Sequence, residues 1–131
     1  MNTISFLLLR LAIGASFFGH GLVRLPKLAA FSGWMVGTFK KSMLPEVLVT
    51  PFSYALPVAE FVVGLLLLTG LFTKAAAIAG SVVMLVLIFG ACMIENWEAL
   101  PSQFIHVAFL VTLLQFIQSN SWALDEMIRG K

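Results

Sequence analysis

Polar and charged residues cluster along this chain and leave four long apolar stretches between them, at residues 4–23, 52–71, 75–94 and 103–119. A helix needs ~20 mainly apolar residues to cross the hydrocarbon core of a bilayer, so each stretch predicts a membrane span. The breaks set the connectivity. Phe72-Thr73-Lys74 leaves room only for a tight antiparallel hairpin between the second and third spans. Glu95 to Ser102 joins the third to the fourth, and Pro101 suits the first turn of a helix, where an N–H is not needed. The first connection is long, Arg24 to Pro51. Within it, Leu28 to Met43 puts Phe31, Trp34, Met35 and Phe39 on or near one helical face and ends in Lys40-Lys41. That pattern suits a short helix in the plane of the interface, or a lid over a cavity between the spans. The tail from Ser121 to Lys131 reads as a short amphipathic ending outside the membrane.

Composition fixes the class. Of 131 residues, 60% are hydrophobic and 11% charged, and the mean hydropathy is +1.02. A soluble domain of this size could not hide so much apolar surface. The expected fold class is all-α: an integral membrane four-helix bundle with an interfacial amphipathic segment between helices 1 and 2, in one domain over residues 1–131. The lipid bilayer is its first partner. The net charge of +2 is scattered, without a basic stripe interleaved with aromatics, and this excludes nucleic-acid binding. Cys92 is the lone cysteine, so no internal disulfide or CxxC redox pair is available, and it reads as a small packing residue. The N-terminal stretch lacks a basic leader and is interrupted by Arg10; it reads as a retained helix, not a signal peptide.

Against this background Glu60 is the conspicuous residue. It lies inside an apolar run from Phe52 to Phe72 that is otherwise free of charge. An ionised carboxylate near a bilayer centre costs ~3 kcal/mol or more, so it needs a partner, a proton or a task. Arg10 is the other formal charge deep in a span, and the two are expected to pair, either as a structural lock or as part of a proton-active site. From the ~1.5 Å rise per residue, His20 and His106 fall at nearly the same depth, ~9 and ~8 Å from the midplane on the side of the longer loops. Arg24 follows His20 at i+4 and shares its face, and Gln103 precedes His106 by three. His20, Arg24, Glu60 and His106 are therefore the candidates for a ligand-binding pocket. No HxxxH, ExxH or cysteine pair marks a metal site. Thr69, Thr73, Gln115 and Gln118, at the opposite end, read as interhelical hydrogen-bonding residues. Trp34 and Trp97 at one end and Trp122 at the other fit aromatic belts. Lys74, Arg129 and Lys131 oppose Arg24, Lys27, Lys40 and Lys41, which gives no usable charge bias for orientation.

These residues resemble the DoxX family of small bacterial membrane proteins. The likeness runs through Leu9-Arg10-Leu11-Ala12-Ile13-Gly14, Phe18-Gly19-His20-Gly21 and the basic end from Arg24 to Lys27. It resumes at Ala59-Glu60 and Gly64-Leu65-Leu66-Leu67-Leu68-Thr69-Gly70-Leu71-Phe72-Thr73-Lys74-Ala75-Ala76, and closes at Leu124-Asp125. Lys74 stands where arginine is common in the family. The resemblance implies a four-helix bundle in the bacterial inner membrane with both termini cytoplasmic. It also implies a link to thiosulfate:quinone oxidoreductase subunits and to membrane complexes of thiol and oxidative-stress metabolism.

Function stays open between classes at this level. The first is a quinone-linked subunit or accessory of a membrane oxidoreductase. In it His20, Arg24 and His106 donate hydrogen bonds to a quinone and Glu60 carries protons, while electrons come from a redox partner protein. The second is a non-enzymatic chaperone or anchor for a partner. The third is a small-solute transporter, for which four short spans call for a homodimer. Haem held by His20 and His106 is allowed by their matching depth, but the resemblance does not support it. No residue is assigned as catalytic, and an enzymatic role extends at most to a subunit of a larger complex.

Overall fold

In lipid every backbone N–H and C=O must be satisfied internally, and a helix does this within one segment. The computed structural model describes residues 1–129. Its helices are α1 (Thr3–Arg24), α2 (Leu28–Phe39), α3 (Glu46–Thr69), α4 (Thr73–Met93), α5 (Leu100–Gln115) and α6 (Leu124–Arg129). Short 3₁₀ turns lie at Leu25–Lys27, Trp97–Ala99 and Ile117–Ser119. Four helical runs are long and apolar enough to cross a membrane: Thr3–Phe39, Glu46–Thr69, Thr73–Met93 and Trp97–Gln115. Their outward faces are greasy, with Leu8, Val82, Leu85 and Phe104 each more than half exposed. This is a multi-pass membrane protein whose helices contact lipid. The tail residue Lys131 lies outside the described residues.

The α1–α3 crossing organises the bundle. A Cβ on Gly21 would lie 2.4 Å from the backbone nitrogen of Phe61, and one on Gly64 would lie 2.1 Å from that of Phe18. The backbones touch, which lipid-embedded helices achieve with the smallest residue. The register follows: Gly14 faces Leu68, Phe18 faces Gly64 and Gly21 faces Phe61. In this register the helices are staggered. The first turns of α1 project past the end of α3, where Asn120 and Trp122 meet Arg10. The first half of α3 projects past Arg24 and packs on α2 instead. There the Ser32 and Ser53 hydroxyls bond at 2.6 Å, and Met35 packs with Val49 and Leu56. The main core joins Phe6, Phe17, Leu67, Leu110 and Leu113 from α1, α3 and α5 with Ala76, Ala77 and Met84 of α4.

The expected spans over residues 4–23 and 75–94 agree with α1 and α4 to within two residues. The second differs. The apolar run puts its start at Phe52, yet α3 begins at Glu46 and contains both Pro51 and Pro57. Each proline removes one backbone bond, which leaves the carbonyls of Val47 and Ser53 without their i+4 donor. Ser53 Oγ donates to the Thr50 carbonyl at 2.6 Å. The fourth helix starts three residues early, at Leu100, and ends at Gln115, with a 3₁₀ turn continuing to Ser119. The α3–α4 hairpin turns on Gly70, whose φ of 73° is left-handed and unstrained without a Cβ. The Leu71 N–H closes this turn on the Leu66 carbonyl at 3.0 Å.

Candidate functional site

The expected Arg10–Glu60 pair does not form. Arg10 is 2% exposed and donates from Nη1 to Asn120 Oδ1 at 2.7 Å and from Nη2 to the Trp122 carbonyl at 2.8 Å. Asn120 Nδ2 donates in turn to Thr73 Oγ1 at 3.0 Å. Asp125 accepts from the N–H groups of Phe72 and Thr73, at 2.5 and 2.8 Å, and so caps the first turn of α4. The Asp125 N–H returns to the Gly70 carbonyl at 3.0 Å. The α1–α3 register explains the separation. It sets Arg10 level with the α3–α4 turn and Glu60 level with Leu22, about a dozen residues or ~18 Å apart along the helices.

Glu60 is 3% exposed and takes Arg24 as its partner, with Nη1 donating to Oε1 at 2.8 Å. The same register explains this pairing, because Arg24 lies less than a turn from the level of Glu60. A long basic side chain at a helix end can also lean back into the bundle. The Arg24 guanidinium lies 4.6 Å from the centre of the Phe31 ring, so α2 supplies a cation–π face to the same group.

The two histidines meet. Their ring centres are 6.3 Å apart in an edge-to-face arrangement. His20 Nδ1 lies 2.6 Å from the Ser16 carbonyl, and His106 Nδ1 lies 2.7 Å from the Ser102 carbonyl. A carbonyl oxygen only accepts, so both rings carry a proton on Nδ1. His106 Nε2 is 2.7 Å from Ser16 Oγ, which ties α5 to α1.

All four pocket candidates, His20, Arg24, Glu60 and His106, line one cavity of about 540 Å³. Its other walls are mainly apolar: Met35 and Phe39 of α2, Phe52 and Leu56 of α3, and Met84 and Leu87 of α4. The segment read as an interfacial helix or a lid is thus a helix that walls this cavity. Gln103 also lines it, and its Oε1 is buried without a hydrogen-bond partner. Among the described residues no group of three or more His, Cys, Asp or Glu could hold a metal ion.

Two functional contributions escape sequence reasoning. Ser16, four residues before His20, holds His106; the i+4 spacing was the available signal. Asn120 and Asp125 hold Arg10 and cap α4 from more than forty residues away, and spacing carries no signal for that. Neither a curated protein nor a solved structure matches the chain. A family model, DoxX, matches residues 5–92, from the start of α1 almost to the end of α4. With more than half of its length matched, the chain belongs to the DoxX family.

Proposed function

We propose that this protein is a quinone-binding subunit or accessory of an oxidoreductase system in a bacterial inner membrane, with both termini cytoplasmic. One observation carries the reading: a mainly apolar cavity of about 540 Å³ receives a buried carboxylate, a guanidinium and two imidazoles where α1, α3 and α5 meet. Ligand cavities of a few hundred Å³ with apolar walls and a few convergent polar groups suit small amphipathic molecules. A quinone needs such a slot for its tail, polar partners for its ring oxygens, and groups that exchange protons when it is reduced or oxidised. Arg24 and Glu60 serve the ring end, and the α2–α4 walls serve the tail. The chain offers neither a cysteine pair nor a cluster of metal ligands among the described residues. Electrons therefore come from a partner protein or its cofactor in this reading.

The test is mass spectrometry of lipids and quinones extracted from detergent-purified protein, with Glu60→Gln and Arg24→Gln prepared alongside. The expected result is near-stoichiometric quinone in the wild type and loss of most of it in both variants. Equal trace quinone in all three would sink the proposal and point to a partner-anchoring role.

A further inference from the structure

One tight crossing gives the helices a common level from which the cavity can be placed. A Cβ on Gly80 would lie 3.2 Å from Leu110 Cδ1, 3.2 Å from Phe17 Cζ and 3.3 Å from Val63 Cγ1. Phe17, Val63, Gly80 and Leu110 therefore mark one level of α1, α3, α4 and α5, and all of them are buried. On one side of that level the core stays closed: Phe6, Leu67, Ala77 and Leu113 are each 1% exposed or less. The Met1 carbonyl accepts from Ser119 Oγ on this closed side. On the other side, toward the α4–α5 loop, the bundle opens into the cavity. Counting ~1.5 Å per residue from the common level, Glu60, His20 and His106 lie ~5–6 Å out, and Leu48 and Ile94 lie ~21–23 Å out. Asn96 and Ser102 line the outer end and are exposed, and the same loop carries the exposed Glu95 and Glu98. The midpoints of α3 and α5 fall at residues 57–58 and 107–108, so Glu60 and His106 sit close to mid-bilayer. This is deeper than the sequence count puts His106, because α5 starts earlier and ends at Gln115.

We infer that the cavity is a one-sided vestibule: water and small solutes from the face of the α4–α5 loop reach Glu60, His20 and His106 at mid-bilayer, and the packed core shuts these groups off from the face that carries Met1 and Ser119. Ionisable side chains at such depth pair with one another or line a water-filled cavity, and here they do both. The groups that meet at the inner end come from three helices: His20 and Arg24 from α1, Glu60 from α3 and His106 from α5. Within the quinone reading, on which this consequence rests, protons gained or lost at Glu60 exchange with the loop face alone. With both termini cytoplasmic, that face is periplasmic. The access itself does not depend on which ligand the cavity holds.

The test is sided thiol labelling of the full chain in sealed membrane vesicles of the two orientations. The background is Cys92→Ser, and the probe is sulfonatoethyl methanethiosulfonate, a charged reagent that does not cross lipid. Asn96→Cys marks the loop face and Lys74→Cys the opposite one. Met84→Cys reports on the inner end of the cavity and Ala91→Cys on its outer half; both residues line it and are 5% exposed. Each is expected to react from the side that labels Asn96→Cys. From the side that labels Lys74→Cys the reaction should be slower by about a hundredfold or more, the order of the penalty for a charge at mid-membrane. Ala77→Cys, in the closed core, should stay unreacted from either side. Ala91→Cys adds a single sulfur, so it keeps the test usable if Met84→Cys folds poorly. Equal rates from both sides, or labelling only from the Lys74 side, overturn the inference. So does protection from both sides. Reaction only with a lipid-soluble maleimide overturns it too, and would mean that the cavity opens sideways past Val86 and Phe89. None of these outcomes touches the quinone reading, which stands or falls on extracted quinone; absent quinone with one-sided labelling intact overturns that reading alone.

Discussion

The two ends of this bundle solve the same problem differently. Each holds an arginine from α1 against the membrane interior. At one end Arg10 is enclosed by Asn120 and the Trp122 carbonyl, while Asn120 bonds Thr73 beside the Asp125 cap of α4. At the other, Arg24 meets Glu60 at the wall of a cavity; among the described residues each end keeps one buried polar atom without a partner, Arg10 Nε at the first and Gln103 Oε1 at the second. A buried polar network is stabilising when its members find partners and costly when they do not. The Arg10 end, closed on other residues of the chain, reads as a fastening; the Arg24 end, facing a mainly apolar cavity, reads as a site. A charge in a membrane helix marks function only once its partners have been counted.

The comparison can be broken in order of expected effect. The largest falls on the crossing that separates the ends. Gly64→Ala forces a methyl group into the backbone of Phe18 and should cost about 3 kcal/mol, the upper part of the range for overpacking. It should also lower quinone content, because moving α3 displaces Glu60. Thermal unfolding in detergent and extracted quinone measure the two effects; an unchanged melting temperature would mean that the helices are not in contact there. Next comes Arg10→Met, which keeps bulk but strands Asn120 Oδ1 and the Trp122 carbonyl. We expect about 2 kcal/mol of lost stability, reduced from the sum of two orphaned acceptors by relief of the buried charge. Quinone content per folded molecule should stay at the wild-type level; a selective loss would show that this end also serves the ligand.

Asp125→Ala removes the cap of α4 and should cost about 1 kcal/mol. Its readout is faster hydrogen exchange at the Phe72 and Thr73 amides, and exchange at the wild-type rate would refute the capping role. The smallest effect on stability belongs to Glu60→Gln, at about 1 kcal/mol or less. The amide still accepts from Arg24, and Arg24 is exposed enough to find other partners. Its effect on bound quinone should nevertheless be the largest of the four. If Glu60→Gln melts like Arg10→Met and keeps its quinone, the division between fastening and site fails.

The spans were legible because a bilayer imposes one length and one composition on every crossing. The hairpin was legible because three residues permit little else. Grouping His20, Arg24, Glu60 and His106 was also within reach, since axial rise places them at related depths on adjoining helices. Partner choice was not. Pairing Arg10 with Glu60 assumed that α1 and α3 lie midpoint to midpoint, whereas Gly21 and Gly64 lock them in a staggered register. Glycine contacts set that offset, and hydropathy is blind to it. The Asn120–Asp125 network lay furthest out of reach, because its partners are up to 110 positions apart.

That separation has a consequence for how the molecule is made. Ribosomes deliver α1 to the membrane long before Asn120 and Trp122 exist, so Arg10 must cross or wait at the interface without the groups that later hold it. An unpartnered arginine in a span resists insertion by ~2.5–3.5 kcal/mol at mid-membrane. The nascent first helix is thus only provisionally seated, and residues made 110 positions later complete its insertion. A defect at Asn120 would then be felt in α1, as failed insertion of that helix rather than as local fraying.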